Sequence, residues 1–321
     1  MSKIAGIGNS LIDILYDIDN EEILKKYSYP KGSHHHVKKS DFDKLHRALE
    51  ECRGIAVPGG SAANTISALA NLGYESSFTG VVGEDEHGEM FESRLKVSGA
   101  LLNLDKLEGD TGKIIHLNTP DRETTTIGYT GVNDQFSPGM LNEENFYGYY
   151  YLLIDGYLTQ NEELMEALAN FGRLNYMKVV FDLSSSHIAE GHREFLSKFI
   201  KEKVDILFAN DLEVFSYTGL EPARAIGRLA KDVEIVVIKL GEKGSMIQKG
   251  DEFYQIPSVP VEVVDNCGAG DLYAAGFLYG LFEDYHLTHC GKTGAFLASK
   301  VLQVKGGRLS FDTWREIRKM I

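Results

Sequence analysis

One carboxylate in this sequence stands where it could do chemistry. Asp271 directly follows Gly268-Ala269-Gly270 and opens a run of small and apolar residues that predicts a helix to about residue 281. Three small residues leave the backbone N–H groups of the turn uncovered. Unpaired N–H groups and the positive end of the dipole at a helix start attract an anion. An acid one step inside such a cradle can orient a hydroxyl and accept its proton while the cradle neutralises a transferring phosphoryl group. A tight turn with a favourable first-turn acid accounts for the same four residues structurally, and short glycine motifs match often by chance. The choice between the two readings rests on the rest of the chain.

Other residues fall into the same kind of chemistry. Gly59-Gly60 let backbone N–H groups approach a ligand, and Asn64 adds an amide side chain one turn into the following helix; together they suit a polyhydroxyl compound. Asn9 and Asp13 follow the first predicted strand, where open α/β sheets place ligands, although Asp13 also fits a solvated loop acid. Asn210 and Glu213 read either as a helix cap with its reciprocal partner or as a pair holding water around a magnesium ion. Gly241 to Gly244 make either a plain hairpin turn or a nucleotide loop, and Lys239, just before them, is assigned no contact. Ala295, Ser299 and Gly306-Gly307 lie on and after a small-residue helix suited to packing a flat ring. His34-His35-His36 invite a metal reading, but adjacent histidines alternate sides on a strand and scatter round a helix. They are read as part of an excursion covering the site.

The elements that must position these residues alternate. Strands are predicted at 3–9, 76–82, 149–155, 178–182, 206–209 and 234–239, and an apolar strand at Val263-Val264 before the glycine turn. Helices fill 61–72, 85–97, 161–172, 192–201, 211–218 and 222–231. This rhythm predicts a parallel, doubly wound sheet with right-handed crossovers. Asp155, Asp182 and Asn210 end their strands and form a row along one sheet edge. Residues 113–118 and 124–129 predict a hairpin with one wet face. Residues 21–27 and 41–50 read as short amphipathic pieces around a loop at 29–39. Hairpin and excursion together read as a small lid drawn from about 15–57 and 111–131 of a single domain spanning 1–321.

Composition narrows the function classes. The chain has 321 residues, 43% hydrophobic and 25% charged, ordinary for a globular enzyme. With 33 basic and 47 acidic residues it carries −14, which disfavours nucleic acid or an acidic membrane surface as partner. A phosphate site must then be a local pocket. Three cysteines at unrelated spacings give neither a disulfide framework nor a zinc pattern, and a reducing cytoplasm is expected. The apolar start is broken by Asn9, Asp13 and Asp17, so no signal peptide is expected, and no apolar run nears the roughly 20 residues of a membrane span. A dinucleotide oxidoreductase fails because Gly6-Ile7-Gly8-Asn9-Ser10-Leu11 lacks the last glycine of the fingerprint.

Asp265 to Asp271 resembles the signature of the ribokinase-like (PfkB) family of carbohydrate and nucleoside kinases. Gly59-Gly60-Ser61-Ala62-Ala63-Asn64 is similar to that family's other signature, Asn210-x-x-Glu213 to its magnesium and phosphate motif, and Gly241 to Gly244 to its nucleotide turn. The four occur in family order over nearly the whole chain. Gly8 to Asp13, the long excursion and Pro30 to Ser33 resemble the adenosine-kinase-like branch. The resemblance implies a Rossmann-like αβα sandwich with a β-sheet lid and ATP- and Mg²⁺-dependent transfer to a hydroxymethyl group. By position it makes Asp271 the base, Gly268, Ala269 and Gly270 the anion hole, and Asp13, Gly59, Gly60 and Asn64 the acceptor contacts. Asn210, Glu213, Gly241, Gly244, Ala295 and Ser299 fall on the nucleotide side, with Glu213 reaching the metal through water. The acceptor reading is a nucleoside, adenosine first; the alternatives are a ribose- or fructose-like sugar, or a sensor without turnover. A monomer or homodimer fits. Asn266 replaces the signature Thr, and Thr124 stands where many relatives carry Arg, with Arg122 two residues earlier.

Overall fold

The structure, a computed structural model, describes residues 3–121 and 123–321. Arg122 lies outside them. The short apolar runs of the second half form strands because both of their faces are covered. Along Lys178–Asp182, Val179 and Phe181 join one hydrophobic cluster and Val180 the other; along Ile235–Lys239, Val236 and Ile238 part from Ile235 and Val237 in the same way. A strand buried on both faces has no polar alternation, hence the unbroken Val and Ile. Helices Ser61–Asn71, Ala269–Phe282 and Leu287–Val301 cover one face, and Glu162–Leu174, Arg193–Lys203 and Pro222–Leu229 the other. The result is the doubly wound αβα sandwich expected.

The main sheet has nine strands. Lys3–Ile7 lies inside it, with Glu75–Gly83 and then Leu101–Leu107 parallel on one side. On the other side run Tyr151–Asp155, Lys178–Asp182, Ile206–Asn210 and Ile235–Lys239, all parallel. The chain therefore winds outward in both directions from Lys3–Ile7, and the crevice at that reversal lies outside the strands' carboxyl ends. Ser245–Lys249 and Glu252–Ile256 close the far edge as antiparallel strands.

A second sheet of five strands orders as His34–His36, Thr124–Tyr129, Gly112–Asn118, Leu11–Asp17 and Ile55–Gly59. This is the small lid. It corrects two readings: the loop at 29–39 contains the strand His34–His36, parallel to Thr126–Gly128, and Asp13 sits inside a lid strand between Val57 and Ile114 instead of in a loop. The expected hairpin is present, with Lys113 opposite Tyr129. Val263-Val264 form no strand; Val264 N–H donates to the Leu302 carbonyl, which ties the segment to the end of a helix. Leu101–Leu107, an edge strand whose residues are largely half-exposed, has no clean period and escapes a pattern reading. No helix among the described residues is long and apolar enough to cross a membrane.

Candidate active site

Helix Ala269–Phe282 starts at Gly268, whose φ of +74° a Cβ would strain. This places Asp271 in the first turn, pointing at helix Ser61–Asn71. Ser61 Oγ donates to Asp271 Oδ1 at 2.7 Å and Asn64 Nδ2 to Oδ2 at 2.8 Å; Thr65 Oγ1 donates to the Asp271 carbonyl at 3.2 Å. Helix Ser61–Asn71 thus grips with two side chains the carboxylate of a helix residue that lies 207 positions beyond Asn64 along the chain. Burial pushes Asp271 up to about 6, against the pull of the Asn64 and Ser61 hydrogen bonds; nearby Asp182 adds to the rise. A carboxylate so placed is ionised at neutral pH and still basic enough to accept a proton.

Lys239, unassigned from sequence, faces the glycine turn. A Cβ at Gly270 would lie 3.2 Å from its Nζ. Nζ donates to Asp182 Oδ2 at 2.8 Å. Burial works to lower the Lys239 pKa, and Asp182 and Glu213 outweigh it, so the ammonium stays charged. A strand-terminal Lys after a four-residue apolar run was its only signal; the same position at three neighbouring strands carries Asp155, Asp182 and Asn210.

Both readings of Asn210 and Glu213 meet in one geometry. The capping box is complete: Asn210 Oδ1 accepts from Glu213 N at 2.8 Å and Glu213 Oε2 from Asn210 N at 2.7 Å, with Asn210 Nδ2 on Oε1 at 2.8 Å. The two residues also line a cavity of about 810 Å³ together with Asp182, Lys239, Gly241 and Asp271. Glu213 is buried there, which pushes it up to about 7, with Lys239 opposing. Gly241 and Gly244 make the hairpin turn and line the same cavity. Asn266 lines it too, at the mouth, its side chain exposed. Ala295 and Ser299 do not line it: both are buried, Ser299 Oγ donating to the Phe296 carbonyl, and Ala298 and Leu302, three positions on from each, line the cavity instead. Helical rotation of about 100° per residue accounts for the miss.

On the other side of Asp271, Gly59 and Gly60 are required as glycines. A Cβ at Gly59 would fall 2.1 Å from Asp13 Oδ2, and one at Gly60, at φ +94°, 2.4 Å from the Asn9 carbonyl. Asp13 Oδ1 pairs with His116 Nε2 at 3.0 Å; burial works to lower the His116 pKa, but Asp13 raises it. His116 escaped a sequence reading because it is one polar residue in an alternating lid strand. Asp155, 1% exposed, accepts from Tyr157 N, but its Oδ2 has no hydrogen-bond partner among the described residues, and burial pushes it up to about 7. A separate cleft against the lid sheet is lined by Asn9, Leu11, His34 to His36, Ile114, Tyr129 and Gln160, which places the histidine run on its wall. Among the described residues no three His, Cys, Asp or Glu side chains gather as a metal site. Thr124 Oγ1 donates to Asn118 Oδ1 at 2.8 Å, within the hairpin end.

Residues 49–314 match the model of the pfkB family of carbohydrate kinases. The chain belongs to that family. This kinase is 27% identical over 252 residues to an uncharacterized sugar kinase of Archaeoglobus fulgidus, which covers 75% of this chain and 96% of that one. The kinase superposes on a probable sugar kinase from Rhizobium etli CFN 42 with a TM-score of 0.92 at 26% identity, over 100% of this chain and 99% of that one. It is similar to the adenosine kinase from Sinorhizobium meliloti to the same degree: TM-score 0.91, 26% identity, 100% and 99% coverage. It is a sugar or nucleoside kinase of the pfkB family.

Proposed function

We propose that this kinase transfers the γ-phosphoryl group of ATP, with Mg²⁺, to the hydroxymethyl group of a nucleoside, adenosine first. The observation that carries this reading is the position of Asp271. Its carboxylate stands between the large cavity under Lys239 and the acceptor glycines Gly59-Gly60, held by Ser61 and Asn64.

The residues present fit the nucleotide. The cavity of about 810 Å³ falls within the roughly 300–1,000 Å³ of small-molecule sites. The glycine turn beneath Lys239 leaves no side chain where phosphate oxygens would approach. Gly268, Ala269 and Gly270 would hold the phosphates with their N–H groups, Lys239 would face them as a point charge, and Gly241, Gly244, Ala298 and Leu302 would line the rest of the nucleotide. Asp182, Asn210 and Glu213 suit a magnesium ion that keeps most of its waters and takes phosphate oxygens. When bound, ATP and Mg²⁺ supply the phosphoryl group and neutralise its charge. Asp271 orients the acceptor hydroxyl and takes its proton at Oδ1 or Oδ2 late in transfer, since the transition state is loose. Asp13, Gly59, Gly60 and Asn64 hold the remaining acceptor hydroxyls, and the lid, formed from segments of 11–59 and 112–129 in one continuous kinase domain, excludes water.

The nucleoside reading is supported by the cleft against the lid sheet. Leu11, Ile114 and Ile188 give it apolar walls, Tyr129 and Tyr157 aromatic rings, and Gln160 an amide that can both donate and accept. Such a lining favours a planar base over open water; base–aromatic stacking contributes about 1–3 kcal/mol. The likeness to an adenosine kinase points the same way. Competition of adenosine against ribose and fructose at equal concentration, with ATP–Mg²⁺, tests it. The expected result is the highest kcat/KM for adenosine; a higher value for a free sugar replaces this reading with a plain carbohydrate kinase.

A further inference from the structure

Behind the active site lies a separate, solvent-open cavity of about 300 Å³, bounded by helices Ser61–Asn71 and Glu86–Lys96, the loop at 307–310 and helix Phe311–Met320. Two guanidiniums line it, Arg94 and Arg308, with Ser67, Asn71, Ser98 and Trp314. No carboxylate is among its lining residues. Neither arginine makes an ion pair among the described residues. The neighbouring acids are already engaged: Glu92 with Lys96 and Lys106, and Asp312 with Arg315. Asp13, the one carboxylate whose charge reaches Arg308, is paired with His116.

This is an unusual arrangement in a chain of net charge −14. Burial, and then the neighbouring charge of Arg94, pull Arg308 down to about 10. Arg308 carries the cost, since it is partly buried beside the exposed Arg94 with no carboxylate in the lining, and an anion between the two relieves the repulsion and meets the open part of the Arg308 fork. Arg308 uses only part of its fork: Nε and Nη2 donate to the Pro58 carbonyl at 3.3 and 2.8 Å. Its remaining N–H groups are free for a bidentate partner. Ser67 and the second amide proton of Asn71, whose first goes to the Ser67 carbonyl, add uncharged donors of the kind that phosphate sites commonly combine with arginine.

We propose that this cavity binds a phosphate group, either free phosphate or one carried by a small metabolite. The place matters for the kinase. Asn64, which donates to Asp271, lines the same cavity. Arg308 holds the carbonyl of Pro58, next to the acceptor glycines, and adjacent Gly307 packs on the cradle, its would-be Cβ 2.8 Å from the Cys267 carbonyl. A ligand here touches the supports of both halves of the active site without entering it.

Calorimetric titration of the full chain, with the nucleotide site saturated by a non-hydrolysable ATP analogue and Mg²⁺, tests the proposal. Inorganic phosphate and glycerol 3-phosphate are the two probes. Saturable binding of at least one is expected, weakened about tenfold or more by Arg94→Gln, on the scale of losing one charge-assisted contact. Equal affinity for both probes identifies free phosphate as sufficient; tighter glycerol 3-phosphate binding identifies a metabolite. Arg94 is exposed and outside the catalytic machinery, so Arg94→Gln should keep turnover in phosphate-free buffer within about twofold. Ser98→Glu, which puts a carboxylate into the cavity, should abolish binding in a folded chain. No saturable binding by the wild type, or unchanged affinity in both variants, overturns the proposal.

Discussion

Lys239 Nζ and Asp182 Oδ2 stand 2.8 Å apart across the ends of two strands, and the same ammonium faces the glycine turn that precedes Asp271. The pair is buried, yet the lysine also has an open side, toward the cavity. An ion pair that only stabilised the fold would be closed on all sides. Lys239→Met should lower kcat/KM by roughly 10²–10³, most of it in kcat, as expected for removing a charge aimed at a transferring phosphoryl group. It should also cost about 3–5 kcal/mol of stability, because Asp182 and Glu213 lose their counter-charge. Steady-state kinetics beside urea unfolding check both; kcat/KM within threefold of wild type refutes the role.

With Asp271 as the proposed base, its carboxyl, pushed up to about 6, should set the acid limb of the pH profile. The base must be ionised, so kcat/KM should fall as pH drops through about 6. Ser61→Ala removes a hydrogen bond that favours the carboxylate, and the limb should move to higher pH. Asp271→Asn should lower kcat by roughly 10²–10⁴ with acceptor KM little changed, and should abolish the limb in what activity remains. A limb unmoved by Ser61→Ala assigns the titration to another group.

Gly59→Ala brings a methyl group to where Asp13 Oδ2 now lies, 2.1 Å away. The Asp13 carboxylate must turn, breaking its pair with His116. The acceptor KM should rise by about tenfold or more, while the KM for ATP stays within twofold, a split that initial-rate kinetics at fixed co-substrate resolves. An equal effect on both substrates contradicts the division of the site.

Asp155 offers a stability test with a definite sign. In the folded chain burial holds its proton up to about pH 7, whereas the unfolded chain releases it near pH 4. The native state therefore binds more protons between those values, and stability contributed by Asp155 is lost as pH rises through that window. Asp155→Asn should then be more stable than wild type at pH 8 by about 1–4 kcal/mol, with a smaller gain at pH 5. Urea unfolding at the two pH values measures the difference; a gain that is larger at pH 5 reverses the assignment.

The parallel sheet was legible because a strand buried on both faces needs continuous apolar residues, as in 235–238, and the helix starts because their glycines and caps are local chemistry. Asp271, Gly59 and Asn64 could be picked out for the same reason: each lies in a short segment whose residue types make sense only together. Lys239 and His116 could not, since what distinguishes them is the partner across space, Asp182 and Asp13. Val263-Val264 looked like a strand because hydrophobicity is visible in sequence and a free sheet edge is not. Ala295 and Ser299 lie three positions from the cavity-lining Ala298 and Leu302, since small residues on several faces of one helix do not say which face meets a ligand.

Ser61 meets Asp271 across 210 positions of chain, and Arg308 meets the Pro58 carbonyl across 250. During synthesis the acceptor glycines emerge from the ribosome long before their counterparts. At about 5–20 residues per second, the segment 57–64 waits on the order of ten seconds or more for the turn at 268–271 and the loop at 305–308. Until then the Leu11–Asp17 and Ile55–Gly59 strands can pair, but Asn64 faces no carboxylate and the Pro58 carbonyl no guanidinium. A nascent chain of this kinase therefore holds one half of the candidate site, its Asn64 amide and Pro58 carbonyl unmet, until residues 268–308 have followed.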